Sequence, residues 1–181
     1  RGSVNRMGLL IENLLDQARQ RSGGGIVVEP RPSDDLAMAL DQIIEEFQAI
    51  APNQTITKDI DLPEPVTCDV PRVAQLLSNL LANASTHGAA GAPIKMDARL
   101  KEGRFMLSVA NQGEKIPDAL MPTLFMPFER VSDHPSRDGL GLGLFIASEI
   151  AAGHGGTLTA ASDDTETVFT LDLPNGAAEA Q

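Results

Sequence analysis

The chain has no tryptophan, no tyrosine and a single cysteine, Cys68. One cysteine forbids an internal disulfide, which suits a reducing compartment and sets the expectation of a cytoplasmic location. Cys68 itself reads as a small, semi-buried thiol. Aromatic rings are limited to six phenylalanines, and 14 basic residues face 25 acidic ones, a formal charge of −11. Such a chain lacks both the cationic footprint and the stacking rings that nucleic-acid binding requires. An anionic ligand must therefore be held by local donors, a helix N-terminus or a metal ion, because the overall field opposes it. Also missing is any apolar run near the roughly 18–20 residues of a membrane span. No signal peptide is visible. The chain has no initiator methionine and opens Arg1-Gly2-Ser3, so a piece of a longer protein is expected, one whose upstream part is free to carry a membrane anchor.

What is present suffices for a core: 42% of 181 residues are hydrophobic, and the length fits one compact domain with an appendage or two small domains. Val4, Met7, Ile11, Leu14 and Ala18 alternate steps of three and four, predicting a helix over 4–21. It reads either as the seam of a helical bundle or as an ordinary amphipathic helix. Gly23-Gly24-Gly25 ends it. "IVVE", 26–29, is strand-like, and 31–35 reads as a linker ending in a helix cap at Ser33 or Asp34. A second helix is expected over 35–50 and a strand over 54–61. Asp69 can cap a third helix, with Pro71 tolerated in its first turn, running to His87 and stopped by Gly88. Two strands, 94–100 and 104–110, form a hairpin across "KEGR". Residues 111–138 are loop-rich. A last helix spans about 140–152, closed by Gly153, and "TLTAAS" and "TVFTLDL" pair across "DDTE". Residues 175–181 read as a frayed tail. The sum is an α/β (α+β) two-layer sandwich: a mixed sheet of about five strands, three helices on one face, and the N-terminal helix.

Four stretches carry chemistry. On the helix ending at His87, Asn79, Asn83 and His87 recur every four residues, a row turned by about 40° per step beside the apolar face of Leu76 and Leu80. Asparagine is a mediocre helix former. The row is either a solvated face or a set of neutral ligands, the amide oxygen being a hard donor suited to Mg²⁺ and the NH₂ able to reach a phosphate oxygen. In "NQGEKIP", 111–117, Asn111 ends a strand and Gly113 permits an unusual turn. An amide there can accept from an exocyclic amine or donate to a ring nitrogen of a base; a plain surface turn is the alternative. "LFMPFER", 124–130, is a hydrophobic plug, and "VSDHPSRD", 131–138, has the polarity of a lid, its flanking Arg130 and Arg137 being phosphate ligands or solvated charges. Finally, "GLGLGLFIASEIAAGHGG", 139–156, opens a helix with alternating glycines. A dinucleotide loop would need a preceding strand and a third glycine where Leu144 stands, and a P-loop would need Gly-Lys-Ser/Thr. What remains is a glycine hinge whose N–H groups and helix dipole face an anion, or close packing through glycine.

In this order, "QLLSNLLANASTHG", "NQGEKIP", "LFMPFER" and "GLGLGLFIASEIAAGHGG" resemble the N box, first glycine box, F box and second glycine box of the ATP-binding domain of sensor histidine kinases in the GHKL superfamily. The likeness covers roughly 33–174 and implies a Bergerat-type fold that binds ATP and Mg²⁺. It implies Asn83 as metal ligand and Asn79 as the catalytic position beside the phosphates. His87, Asn111, Gly113, Ile116, Arg130, Gly139, Leu140, Gly141, Leu142, Gly143 and Leu144 complete the ATP site. Asn111 takes the place of the usual aspartate on the adenine amine, and Lys115 stands where a second glycine is frequent. In the gyrase and Hsp90-like branches a glutamate at the place of Asn79 activates water; an amide cannot act as a general base, which favours transfer to an imidazole.

The resemblance further implies residues 1–22 as the second helix of a dimerisation and phosphotransfer hairpin, 23–34 as linker, 35–174 as catalytic domain and 175–181 as tail. The phosphoacceptor lies on the hairpin's first helix in that family, and His87, His134 and His154 all fall within the ATP domain. The expected function is transfer of the ATP γ-phosphate to a hairpin histidine for relay to a response regulator receiver domain, in a full-length homodimer and with no nucleic-acid partner. The alternatives are a degenerate domain serving as phosphotransfer or dimerisation scaffold, and a serine kinase of the anti-sigma type.

Overall fold

Two-residue alternation of buried and more exposed positions, clearest over 94–98 and 167–173, builds the sheet of this protein. The computed structural model describes residues 25–128 and 141–176. The expected helix at 4–21, the lid with Arg130 and Arg137, Gly139, Leu140 and residues 177–181 lie outside the described residues. The strands are β1 (Arg31–Ser33), β2 (Ile56–Asp61), β3 (Val66–Cys68), β4 (Ile94–Lys101), β5 (Arg104–Asn111), β6 (Thr157–Ser162) and β7 (Thr167–Pro174). The α-helices are α1 (Leu36–Ile50), α2 (Val70–His87) and α3 (Gly143–Gly153). The main sheet has the order β2-β4-β5-β7-β6, with β2 parallel to β4 and every other pair antiparallel. This is the mixed five-stranded sheet expected.

Phe105, Leu107 and Val109 of β5, Phe169, Leu171 and Leu173 of β7, Leu158 of β6, and Ile94, Met96 and Ala98 of β4 are buried on the inner face. They meet Leu40 and Ile44 of α1, Leu76, Leu77, Leu80, Leu81 and Ala84 of α2, and Ile146, Ala147 and Ile150 of α3 in one core. Removing this apolar surface from water supplies the main drive to fold. Polar residues alternate on the outer face, as an open antiparallel surface permits. The β4–β5 hairpin turns through Glu102 (φ 54°) and Gly103 (φ 71°), two left-handed residues in succession, the pattern of a tight primed turn.

Helix α2 begins as expected. Asp69 is its N-cap and accepts from the Arg72 N–H, with Pro71 in the first turn. Several other expectations change. Residues 26–29 form no strand, pairing with no neighbouring strand among the described residues; Ile26 is buried, and its carbonyl with the Val28 methyls lies over Gly153. The extended segment falls instead inside the expected linker, where β1 pairs antiparallel with β3, a strand without a periodic signature in its three residues. The N-cap of α1 is Asp35, which makes no side-chain cap bond; Ser33 Oγ accepts the Asp35 N–H ahead of the helix. Gly153 lies within α3, His154 follows as C-cap, and Gly155 (φ 70°) takes the left-handed position that ends the helix. Cys68 is fully buried, 2% exposed. Asn175 is no loose tail: its Oδ1 accepts from Thr67 N–H, its Nδ2 donates to Pro65 O, and its N–H donates to Gly103 O.

Candidate functional site

At one end of the inner face the hydrophobic rows stop. Register places Leu158, Leu171 and Leu107 in one row and Ala160, Phe169 and Val109 in the next; the row after that is Ser162, Thr167 and Asn111. Asn111 and Thr167 are buried, 5% exposed each, although both are polar. Ser162 Oγ and Thr167 Oγ1 are 2.7 Å apart, and Ser162 Oγ also accepts the Ile116 N–H at 3.0 Å. Asn111 Nδ2 donates to Gln112 O at 3.3 Å. Sequence reasoning missed Ser162 and Thr167. The signal was their phase, Ser162 with Leu158 and Thr167 with Phe169, Leu171 and Leu173.

This polar row is tied to the end of α2. Gly88 and Gly113 form an antiparallel bridge, and Ala89 N–H donates to Gln112 O at 2.6 Å. A Cβ on Gly113 would sit 2.5 Å from the His87 carbonyl oxygen and 3.3 Å from Asn111 Nδ2, so only glycine lets these two segments approach so closely. His87, Gly113, Asn111 and Ile116 are thus gathered at one place. Lys115 turns from it: its ammonium meets Asp118 Oδ1 at 3.1 Å, and that hydrogen bond, reinforced by the same charge, raises the lysine pKa above its ordinary value.

A second cluster forms where α3 begins. Gly141 is left-handed (φ 67°), and its carbonyl accepts the Phe128 N–H at 2.9 Å. Leu142 is the N-cap of α3 and offers no side-chain cap to the first-turn N–H groups. Its side chain is buried in the core and its carbonyl accepts the Ile146 N–H at 2.9 Å; Leu144 is half-buried. Gly143 lies against α2, where its Cβ would stand 3.6 Å from Asn79 Oδ1. Asn79 is only 8% exposed, and its Nδ2 has no hydrogen-bond partner. A buried amide left unsatisfied costs roughly 1–3 kcal/mol, and here it sits beside an uncapped, partially positive helix N-terminus. That is the chemistry of an anion cradle. Asn83, one turn further along α2, is half-buried. Arg130, Gly139 and Leu140 lie outside the described residues.

Beneath the second cluster, Phe125 meets Phe169 edge-to-face with centroids 6.4 Å apart. The far end of α3 is tied to the start of α2: His154 Nε2 accepts the Asp69 N–H at 2.9 Å while Nδ1 pairs with Ile150 O at 2.7 Å. Among the described residues no three His, Cys, Asp or Glu side chains form a metal-binding group, and no helix is long and apolar enough to cross a membrane.

Comparison with known proteins gives a consistent picture. The profile of the family "Histidine kinase-, DNA gyrase B-, and HSP90-like ATPase" matches residues 68–177. A bacteriophytochrome of Pseudomonas aeruginosa is 35% identical over 179 residues, 98% of this chain and 24% of that protein. The sensor protein KdpD of Escherichia coli is 34% identical over 155 residues, 83% of this chain and 17% of KdpD. This chain therefore spans a quarter or less of the length of these two relatives. Among solved structures, the catalytic domain of histidine kinase ThkA superposes with a TM-score of 0.67 at 25% identity, covering 83% of this chain and 97% of that domain. Full-length ShkA in complex with AMPPNP gives a TM-score of 0.77 at 25% identity, covering 99% of this chain and 38% of that one.

Proposed function

Since this chain belongs to the histidine kinase-, DNA gyrase B- and HSP90-like ATPases, as a catalytic domain of the sensor kinase kind, we propose that it binds ATP between α2, α3 and the polar end of the sheet and hands the γ-phosphate to a histidine. The single observation carrying this reading is Asn79, a buried amide whose Nδ2 lacks a partner and which faces the start of α3. The phosphates belong there. His87 and the Asn111 row lie two helical turns further along α2, about 12 Å by the helical rise, a span suited to the base.

In this reading Asn111 and Thr167 hold the base, Gly113 and Ile116 shape its pocket, and Asn79 donates to a phosphate oxygen. Gly139, Leu140, Gly141, Leu142, Gly143 and Leu144 bring backbone N–H groups to the phosphates, with Arg130 and His87 at the rim. Asn83 would hold Mg²⁺. A lone amide oxygen fits this ion, which keeps several waters and binds chiefly through substrate phosphates, neutralising their charge. Asn79 cannot deprotonate water, whereas a neutral imidazole is already a nucleophile. These residues therefore position the nucleotide for in-line attack and leave the nucleophile to the acceptor. We place the acceptor on a dimerisation hairpin to which residues 1–22 contribute the second helix, with 23–34 as linker and 35–174 as catalytic domain. A homodimer and relay to a response regulator receiver domain complete the proposal.

Calorimetric titration of the purified chain with ATP, with and without Mg²⁺, tests the reading. Mg²⁺-strengthened binding is expected; no binding at millimolar ATP overturns it. γ-labelled ATP should then label the histidine of an added hairpin and no histidine of residues 1–181.

A further inference from the structure

Among the described residues, the buried polar side chains at the base end of the pocket have no fixed polarity. Among the described residues the buried polar side chains are Gln75, Asn79, Asn111 and Thr167, none of them ionisable. The charged residues adjoining this row in the chain are turned elsewhere: Glu114 is exposed, Lys115 is engaged with Asp118, Asp163 is exposed and accepts the Thr165 and Glu166 N–H groups, and Glu166 meets Lys95. What remains is the row Asn111–Thr167–Ser162.

Each member of that row can present either a donor or an acceptor. The Asn111 amide carries an oxygen on one side and an NH₂ on the other, exchanged by a half-turn about its last torsion. The 2.7 Å contact between Ser162 Oγ and Thr167 Oγ1 runs in either direction. When Ser162 donates, the Thr167 hydrogen is released toward the pocket. When Thr167 donates, Ser162 accepts from both Thr167 and Ile116 N–H, and Thr167 shows lone pairs to the pocket. The amide and the hydroxyl pair can therefore each reverse.

Purines differ in just this property. A 6-aminopurine presents a donor beside an acceptor at N1, and a 6-oxopurine presents an acceptor beside an N1–H donor. A carboxylate at the pocket end only accepts and separates the two strongly; a reversible amide–hydroxyl row does not. We propose that the Asn111–Thr167–Ser162 row makes this site tolerant of purine nucleoside triphosphates with either an amino or an oxo group at position 6. The proposal rests on the nucleotide-binding reading above and specifies its substrate class. One contact biases the row: Asn111 Nδ2 donates to Gln112 O, which leaves Oδ1 to accept from a 6-amino group. That bond is long, 3.3 Å, so the bias toward ATP is small, about tenfold or less.

The test compares ATP with inosine triphosphate, which differs from ATP only in its 6-oxo, N1–H edge. Dissociation constants are measured by calorimetry in Mg²⁺ for the unaltered chain and for Asn111→Asp, with circular dichroism to monitor folding. The unaltered chain should bind inosine triphosphate within about tenfold of ATP. Asn111→Asp should widen the ratio beyond about a hundredfold, mostly by losing inosine triphosphate, because its carboxylate meets O6 with like polarity. ATP bound but inosine triphosphate rejected a hundredfold by the unaltered chain overturns the proposal and leaves the ATP reading intact. An unchanged ratio in folded Asn111→Asp also overturns it. Failure of both nucleotides to bind at millimolar concentration overturns the ATP reading and this proposal together. The ratio for the unaltered chain decides even if the variant misfolds.

Discussion

Gly143, the first residue of α3, stands directly against Asn79 in the middle of α2: a Cβ on Gly143 would lie 3.6 Å from Asn79 Oδ1 and 3.8 Å from Asn79 Cβ. Two residues 64 positions apart in the chain thus set the distance between an uncapped helix start and an unsatisfied amide. The arrangement is unfavourable for an empty site and favourable for one holding an anion.

Asn79→Ala should therefore separate stability from binding. Removing a buried amide that lacks a partner offsets the small cavity created, so stability to urea should change by no more than about 1 kcal/mol. Affinity for ATP should fall at least about tenfold. A large stability loss with unchanged affinity would show that Asn79 is structural.

Two glycines should respond oppositely to alanine. At Gly113 the added Cβ meets the His87 carbonyl at 2.5 Å, and the α2 terminus must part from the loop after β5. Gly113→Ala should cost about 1–3 kcal/mol. At Gly143 the new contacts, 3.6 Å and beyond, are ordinary. Gly143→Ala should fold with stability unchanged or raised by up to about 1 kcal/mol, while ATP affinity falls because the methyl occupies the cradle. Thermal melts and calorimetry on both variants check this contrast.

His154→Ala should loosen the joint between α3 and α2. It removes the acceptor of the Asp69 N–H and one of two partners of Ile150 O, which keeps the residue-154 backbone N–H, a loss of about 1–3 kcal/mol. Asp69 also caps α2 and accepts the Glu29 N–H at 3.0 Å. Amide hydrogen exchange should therefore quicken at the start of α2 and the end of α3 together. Exchange confined to α3 would contradict the joint.

Burial, with a smaller contribution from the Asp69 charge, pushes the Cys68 thiol up to about 12, above its value of about 8.5 in an unfolded chain. The folded state thus holds this proton where the unfolded chain has lost it. The stabilisation is complete below about pH 8.5 and falls with rising pH, by about 1.4 kcal/mol per unit, until the folded pKa is reached. Cys68→Ala should flatten the loss of stability between pH 9 and 11 in urea titrations. Iodoacetamide should leave native Cys68 unmodified at pH 8 and label it rapidly in urea.

Much of this protein was readable from local pattern. The interval from Asp69 to Gly88 declares its cap, its apolar face and its end within eighteen helical residues, because capping and amphipathicity are short-range properties. The hairpins at "KEGR" and "DDTE" were equally visible, since adjacent strands need only a turn. Asn79, Asn111 and Gly143 stood out as residue types poorly suited to where they lie. The β1–β3 ribbon did not, because three residues carry too little periodicity and their pairing partner lies about 35 positions away. The packing of residues 26–29 on Gly153 and the anchoring of Asn175 were hidden for the same reason.

Composition set the expectation of an acidic chain with enough apolar residues for a core, and the ATP site was legible through the resemblance of four ordered motifs to a known family. Folding decided which of those residues meet. Ser162 and Thr167 joined Asn111 only through strand register, and Asn79 was left without a partner only because α3 buried it. Periodicity states which face a side chain takes; only packing across the sheet and between the helices states what stands opposite and which polar groups remain for a ligand.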